Sequence, residues 1–180
     1  MDTLTIVMIC FGALVFLYMV YGLLLPRKWE VKETALVDAD QEKLFHYLNT
    51  IRNWEIWTTW NKEAKAGFKF SYEGPEAGEG ATQSWTAKRR KGETQILGGE
   101  APERIDFQFQ FGKGQQKMKG SLLLQPEDGK TKVEWNMGGD AGDNISYKMM
   151  AKMMKPYMSR DLKEGLERLQ KLATDWPSEA

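Results

Sequence analysis

Across 180 residues the chain carries 25 Lys+Arg against 25 Asp+Glu, one histidine and one cysteine, with aromatic residues at 12%. That balance excludes a global electrostatic field for nucleic acid or an acidic substrate. The lone cysteine, Cys10, excludes a disulfide framework, and no His/Cys cluster exists for zinc.

Leu4 to Leu25 contains no charge. As a helix this run is roughly 33 Å long against a hydrocarbon core of about 30 Å, so a membrane span is expected. A cleaved signal peptide fits poorly, because no positive residue precedes the run and no small-x-small site follows it. Asp2 stands on one side and Pro26-Arg27-Lys28 on the other. The positive-inside rule then puts the N-terminus outside and the rest in the cytoplasm, on an inner membrane if the source is bacterial. The chain thus divides into an anchor (1–27), a domain (28–174) and a tail (175–180). Only Asp2 is charged before Arg27, so the remainder carries 25 − 24 = +1, and its length suffices for a core without disulfides. Trp29 follows the anchor at once and is a candidate interface residue.

Lys28 to Val37 alternates, with Trp29, Val31, Ala35 and Val37 on one face, which predicts a half-buried strand. Asp38, with Gln41 three residues on, predicts a helix start, and Leu44, Phe45 and Leu48 form that short helix's inner face. A second short turn carries Ile51, Trp54, Ile56, Trp57 and Trp60. The period then changes to two. Phe68, Phe70 and Tyr72 alternate, then Ala81, Gln83, Trp85 and Ala87, and Thr94 to Glu100 makes a weaker strand broken by Gly98-Gly99. Ile105, Phe107, Phe109 and Phe111 form the clearest alternation; Met118, Gly120, Leu122 and Leu124 follow, and Val133, Trp135 and Met137 are the last strand. Short strands joined by tight turns predict an antiparallel meander.

Tyr157 to Ala173 reads as a long amphipathic helix with Met158, Leu162, Gly165, Leu166, Leu169, Leu172 and Ala173 on one stripe. Before it, Ile145 to Met154 gathers Met149, Met150, Met153 and Met154 on one side and Lys148, Lys152 and Lys155 on the other. Methionines suit variable contents and lysines suit anionic lipid, so this segment is expected to be a lid whose lysines face the headgroups, hinged at Pro156; an ordinary amphipathic helix packing its methionines into the core is the alternative.

Seven strands gripping one helix is an α+β helix-grip arrangement, and four segments carry a resemblance. Val37-Asp38-Ala39-Asp40-Gln41-Glu42-Lys43-Leu44-Phe45 followed by Trp54-Glu55-Ile56-Trp57 resembles the opening signature of the SRPBCC (START-like, polyketide cyclase/dehydrase) superfamily. Gly78-Glu79-Gly80-Ala81-Thr82-Gln83-Ser84-Trp85 resembles its strand entry, Thr131 to Trp135 its last strand, and Asp161 to Leu169 its closing helix. The chain lacks the proline usual before the first helix, and most members lack such an anchor. The resemblance implies a cavity between sheet and closing helix that holds an apolar ligand. Its lining would come from Phe45, Trp57, Trp85, Phe107, Phe109, Leu122, Trp135, Met154 and Tyr157; the alternative is that these large side chains simply fill the space.

Catalytic constellations are thin. His46 is the only candidate triad base and no G-x-S-x-G supplies a nucleophile. Alternation points Asp106 and Glu134 to solvent. Asp140, Asp143 and Asn144 lack calcium-loop spacing, Gly112-Lys113-Gly114 lacks a phosphate-loop continuation, and Lys88-Arg89-Arg90-Lys91 reads as a solvated basic turn. The sequence therefore favours a membrane-tethered binder of a lipophilic small molecule, with no metal, cofactor or nucleic acid. A cyclase/dehydrase-type enzyme and a protein-interaction module are its rivals.

Overall fold

The computed structural model describes residues 2–59, 69–87, 90–112 and 116–176. In chain order they form α1 (Thr3–Leu24), β1 (Lys28–Val37), α2 (Gln41–Asn49), a 3-10 turn (Ile51–Asn53), α3 (Trp54–Trp57), β2 (Lys69–Glu73), β3 (Thr82–Ala87), β4 (Arg90–Glu100), β5 (Arg104–Phe111), β6 (Gln116–Glu127), β7 (Lys130–Asp140) and α4 (Ile145–Thr174). One antiparallel sheet holds all seven strands in the order β1-β7-β6-β5-β4-β3-β2. This is the expected α+β helix-grip fold. Trp60, Phe68 and the Lys88-Arg89 half of the basic turn lie outside the described residues, as do Lys113 and Gly114.

Alternation along the strands sets the two faces of the sheet. Val31, Val37, Ile105, Phe107, Phe109, Leu122, Leu124, Val133, Trp135 and Met137 are buried on the inner face. Asp106 and Glu134 stand on the outer face as expected, paired with Arg104 at 2.8 Å and Lys32 at 2.6 Å. The Gly98-Gly99 pair does not end its strand. A register shift between Ile96 and Gly98 bulges β4, which continues to Glu100. Gly99 has φ 151°, and a Cβ there would strike the Arg104 carbonyl, so glycine is what lets β4 and β5 stay paired past the bulge.

Asp40, rather than Asp38, caps α2. Its carboxylate accepts from the backbone N–H of Glu42 at 2.9 Å and of Lys43 at 3.2 Å, while Asp38 pairs with Lys130 at 3.5 Å. The helix is fixed across one end of the sheet because Gln41 donates to the Leu124 carbonyl at 2.9 Å and Thr131 to the Ala39 carbonyl at 2.8 Å.

The Met-rich segment and the closing helix are one element. α4 runs for 30 residues through Pro156 without interruption, so the expected hinge is not a break in the helix. Ser159 bonds Glu33, and Gln170 donates to the Leu36 carbonyl at 2.9 Å, so α4 travels in the same direction as β1. Its first turns therefore lie at the end where β1 begins. There Lys152 bonds the Tyr21 hydroxyl of α1, and Ile145 sits where a side chain on Gly22 would be. Arg27 and Asp143 pair at 3.5 Å beside them. The domain thus has an anchor end, next to α1, and a far end, covered by α2 and closed by Trp176 stacked 4.8 Å from Tyr47.

Candidate ligand site

Between sheet and α4 the two ends are built differently. Toward the far end, Leu44, Leu48, Ile51 and Trp54 share with Ile105, Leu122, Leu124, Leu166 and Leu169 a core with essentially no exposure. Trp54 lies 4.9 Å from Phe107, edge to face, and its indole N–H donates to the Leu48 carbonyl at 2.7 Å. This part of the interior is filled and satisfied.

Next to it stand Trp57 and Trp135, ring centroids 4.7 Å apart and both buried. Gly165 of α4 makes room for them: a Cβ there would come within 2.8 Å of the Trp135 ring. Unlike Trp54, neither indole N–H has an acceptor among the described residues. A buried donor left unpaired costs about 1–3 kcal/mol, so a ligand oxygen or a water at either nitrogen would be stabilising.

Toward the anchor end the sheet carries aromatic rings laid across glycines. Trp85 covers Gly92, Phe107 covers Gly120 and Trp29 covers Gly139, each its direct cross-strand partner. With no Cβ beneath it, each ring lies down on the sheet instead of standing into the space between sheet and helix. Polar groups share this face. Gln83, 5% exposed, donates to the Tyr72 hydroxyl at 3.2 Å, and buried Thr94 pairs with Gln83 across the strands. Burial raises the Tyr72 pKa, opposed by the Gln83 bond and reinforced by the Glu55 carboxylate, so its hydroxyl keeps its proton at neutral pH. Glu33, opposite Trp135, points inward to the Ser159 hydroxyl.

Of the residues expected to line the cavity, Phe45, Trp57, Trp85, Phe107, Phe109, Leu122 and Trp135 are all buried on the enclosed side. Met154 and Tyr157 are not: they are 44% and 57% exposed, on the side of α4 turned away from the sheet. The lid lysines are reversed too. Lys148 is buried and Lys155 half-buried, on the face that continues the stripe of Ala151, Met158 and Leu162, while Lys152 reaches α1. Their long apolar stems cover hydrophobic surface, which a polarity-based wheel does not anticipate. Trp29 is half-buried over Gly139 as a strand residue. Glu33 and Thr94 are inward residues that the alternation pattern did not reveal; strict odd-even counting through β1 would have found Glu33.

The outer face of the sheet also carries an open trough of about 820 Å³, lined by Lys28, Glu30, Arg104, Asp106, Lys117, Lys119 and Asn136 among others.

The family model for polyketide cyclase / dehydrase and lipid transport matches residues 28–174. The chain belongs to that family. Its class is thus that of hydrophobic-ligand-binding SRPBCC domains. Solved structures show the same fold at low identity. Protein MLL2253 from Mesorhizobium loti aligns at TM-score 0.60 and 13% identity over 83% of this chain and 100% of its own. A protein from Arthrobacter aurescens aligns at 0.59 and 19%, over 83% and 88%. DynU16, from the dynemicin biosynthetic locus, aligns at 0.56 and 14% over 81% of this chain, which spans 47% of DynU16. Comparison with curated proteins finds no match.

Proposed function

We propose that this family member is a membrane-tethered binder of a lipophilic small molecule. The ligand lies on the anchor side of the Trp57–Trp135 pair, over the aromatic floor formed by Trp85 and Phe109. The observation that carries this reading is the pair of buried indole N–H groups, of Trp57 and Trp135, without acceptors among the described residues. An enclosed apolar surface with a few convergent donors is what orients a ligand bearing one carbonyl or hydroxyl, such as a lipid, quinone or isoprenoid.

The tether supports the same reading. α1 is long and apolar enough to cross a membrane, a property a signal sequence shares. Retained as a span, with Arg27 and Lys28 on the cytoplasmic side, it holds the domain beside the phase in which such ligands dissolve. Native mass spectrometry of the full chain, followed by organic extraction, tests the binding. A reproducible stoichiometric adduct of a lipophilic molecule is expected; no adduct, together with no uptake of fluorescent lipid probes, would remove the reading.

A second reading, a cyclase/dehydrase-type enzyme, draws on the inward polar groups. Tyr72, kept protonated, would donate a proton to a reactive chain held beside Gln83. Loss of turnover in Tyr72→Phe, with adduct retention intact, would favour it over simple binding.

A further inference from the structure

The outward face of α4 changes character along its length. Tyr147, Met150, Met153, Met154 and Tyr157 are 40%, 44%, 68%, 44% and 57% exposed. At helical spacing they form one continuous apolar stripe from Tyr147 to Tyr157, about 15 Å long. Beyond it the same face carries Arg160, Glu164 and Arg168, with Arg168 and Glu164 paired at 2.8 Å. The residues of this switch are exposed, so the change concerns what lies outside the domain.

The apolar half is the half that touches α1. Lys152 bonds Tyr21, and Ile145 fills the space over Gly22, two residues before α1 ends at Leu24 and five before the first cation, Arg27. That places the stripe at the level where an anchor leaves the bilayer. A tyrosine stands at each end of the methionine run, the residue type that settles at the headgroup level.

We infer that the stripe Tyr147–Met150–Met153–Met154–Tyr157 lies in the bilayer interface, making α4 a second membrane contact that seats the domain with its anchor end against the lipid. The inference rests on α1 being a membrane span. The docked face is the methionine face, opposite to the one the lysines would have supplied. Such seating fixes the route by which a ligand passes between lipid and the enclosed aromatic floor.

The test uses the full chain with Cys10→Ser, reconstituted in phosphatidylcholine/phosphatidylglycerol liposomes. Single spin labels are placed at Met150, Met153, Tyr157, Glu164 and, as a reference in α1, Leu14; collisions with oxygen and with a water-soluble nickel chelate are compared. Labels at 150, 153 and 157 should show an oxygen-to-nickel ratio several-fold above that at 164 and approach that at 14. A lipid-like ratio at 14 with equal values at 153 and 164 overturns the docking and leaves the tether standing. A water-like ratio at 14 overturns the span itself. Spin–spin broadening at 153 that disappears on dilution with unlabelled chain shows a second copy covering the stripe, and also overturns the inference.

Discussion

The far end and the anchor end of this domain are built from the same residue types and arrive at opposite states. At the far end Trp54 is packed against Phe107 and hydrogen-bonded to Leu48, in a core where Leu44, Leu166 and Leu169 are fully buried. One turn of helix later, Trp57 is as deeply buried, yet its N–H has no acceptor among the described residues, nor has that of its neighbour Trp135. Beyond this pair, rings lie on glycines and inward positions go to Gln83, Thr94 and Glu33. The lesson is that burial alone does not separate core from site; the satisfaction of buried donors does.

The largest expected contrast is in truncation. Trp54→Ala should cost about 3–5 kcal/mol, whereas Met118→Ala, at the anchor end and 8% exposed, should cost about 2 kcal/mol or less. Urea unfolding midpoints of the full chain in mild detergent measure both. Equal losses would erase the distinction between the ends.

Gly165→Val probes the boundary. Its side chain would press on Trp135, which Gly165 otherwise meets at 2.8 Å from an ideal Cβ, so a loss of about 1–3 kcal/mol is expected. Adduct retention should fall with it. Unchanged stability and retention would show that the Trp57–Trp135 pair is not held by the helix.

Trp135→Phe sharpens the comparison further. It removes an N–H that has no acceptor, so stability should change by about 1 kcal/mol or less, while adduct retention drops. In Trp54→Phe the stability loss should be larger, because the Leu48 carbonyl loses its donor.

The smallest effect belongs to neither end. On the outer face, bonds from Lys32 and Asn136 hold the Glu134 carboxyl below its usual pKa. The contribution is present above the unfolded carboxylate value of about 4.3 and is lost as pH falls through the lower folded value. Glu134→Gln should therefore cost about 0.2–1 kcal/mol at neutral pH and flatten that part of the acid profile. Ligand retention should not move.

Much of the fold was legible from periodicity. Every strand but β4 announced itself by alternation, and the stripe from Met158 to Ala173 is the buried face of α4. Less of the site was legible, for identifiable reasons. Charge hid Glu33, since a carboxylate on an apolar face breaks the pattern that defines the face. A polarity-based wheel assigned the methionines inward and the lysines outward, but Lys148 and Ala151 continue the stripe of Met158 and Leu162, and continuity of the helix decides. The cap moved from Asp38 to Asp40 because two acids two residues apart offer the same chemistry, and only one stands where its oxygen meets the Glu42 and Lys43 N–H groups.

The most direct test of the central claim, that a lipophilic ligand occupies the anchor side of the Trp57–Trp135 pair, is hydrogen exchange on the full chain before and after organic extraction. The account predicts faster exchange after extraction in the anchor-end stretches of β1, β4, β6 and β7, with α2 and the far-end stretches of β6 and β7 unchanged. Exchange that is unaltered everywhere, or that accelerates equally at both ends, would contradict it.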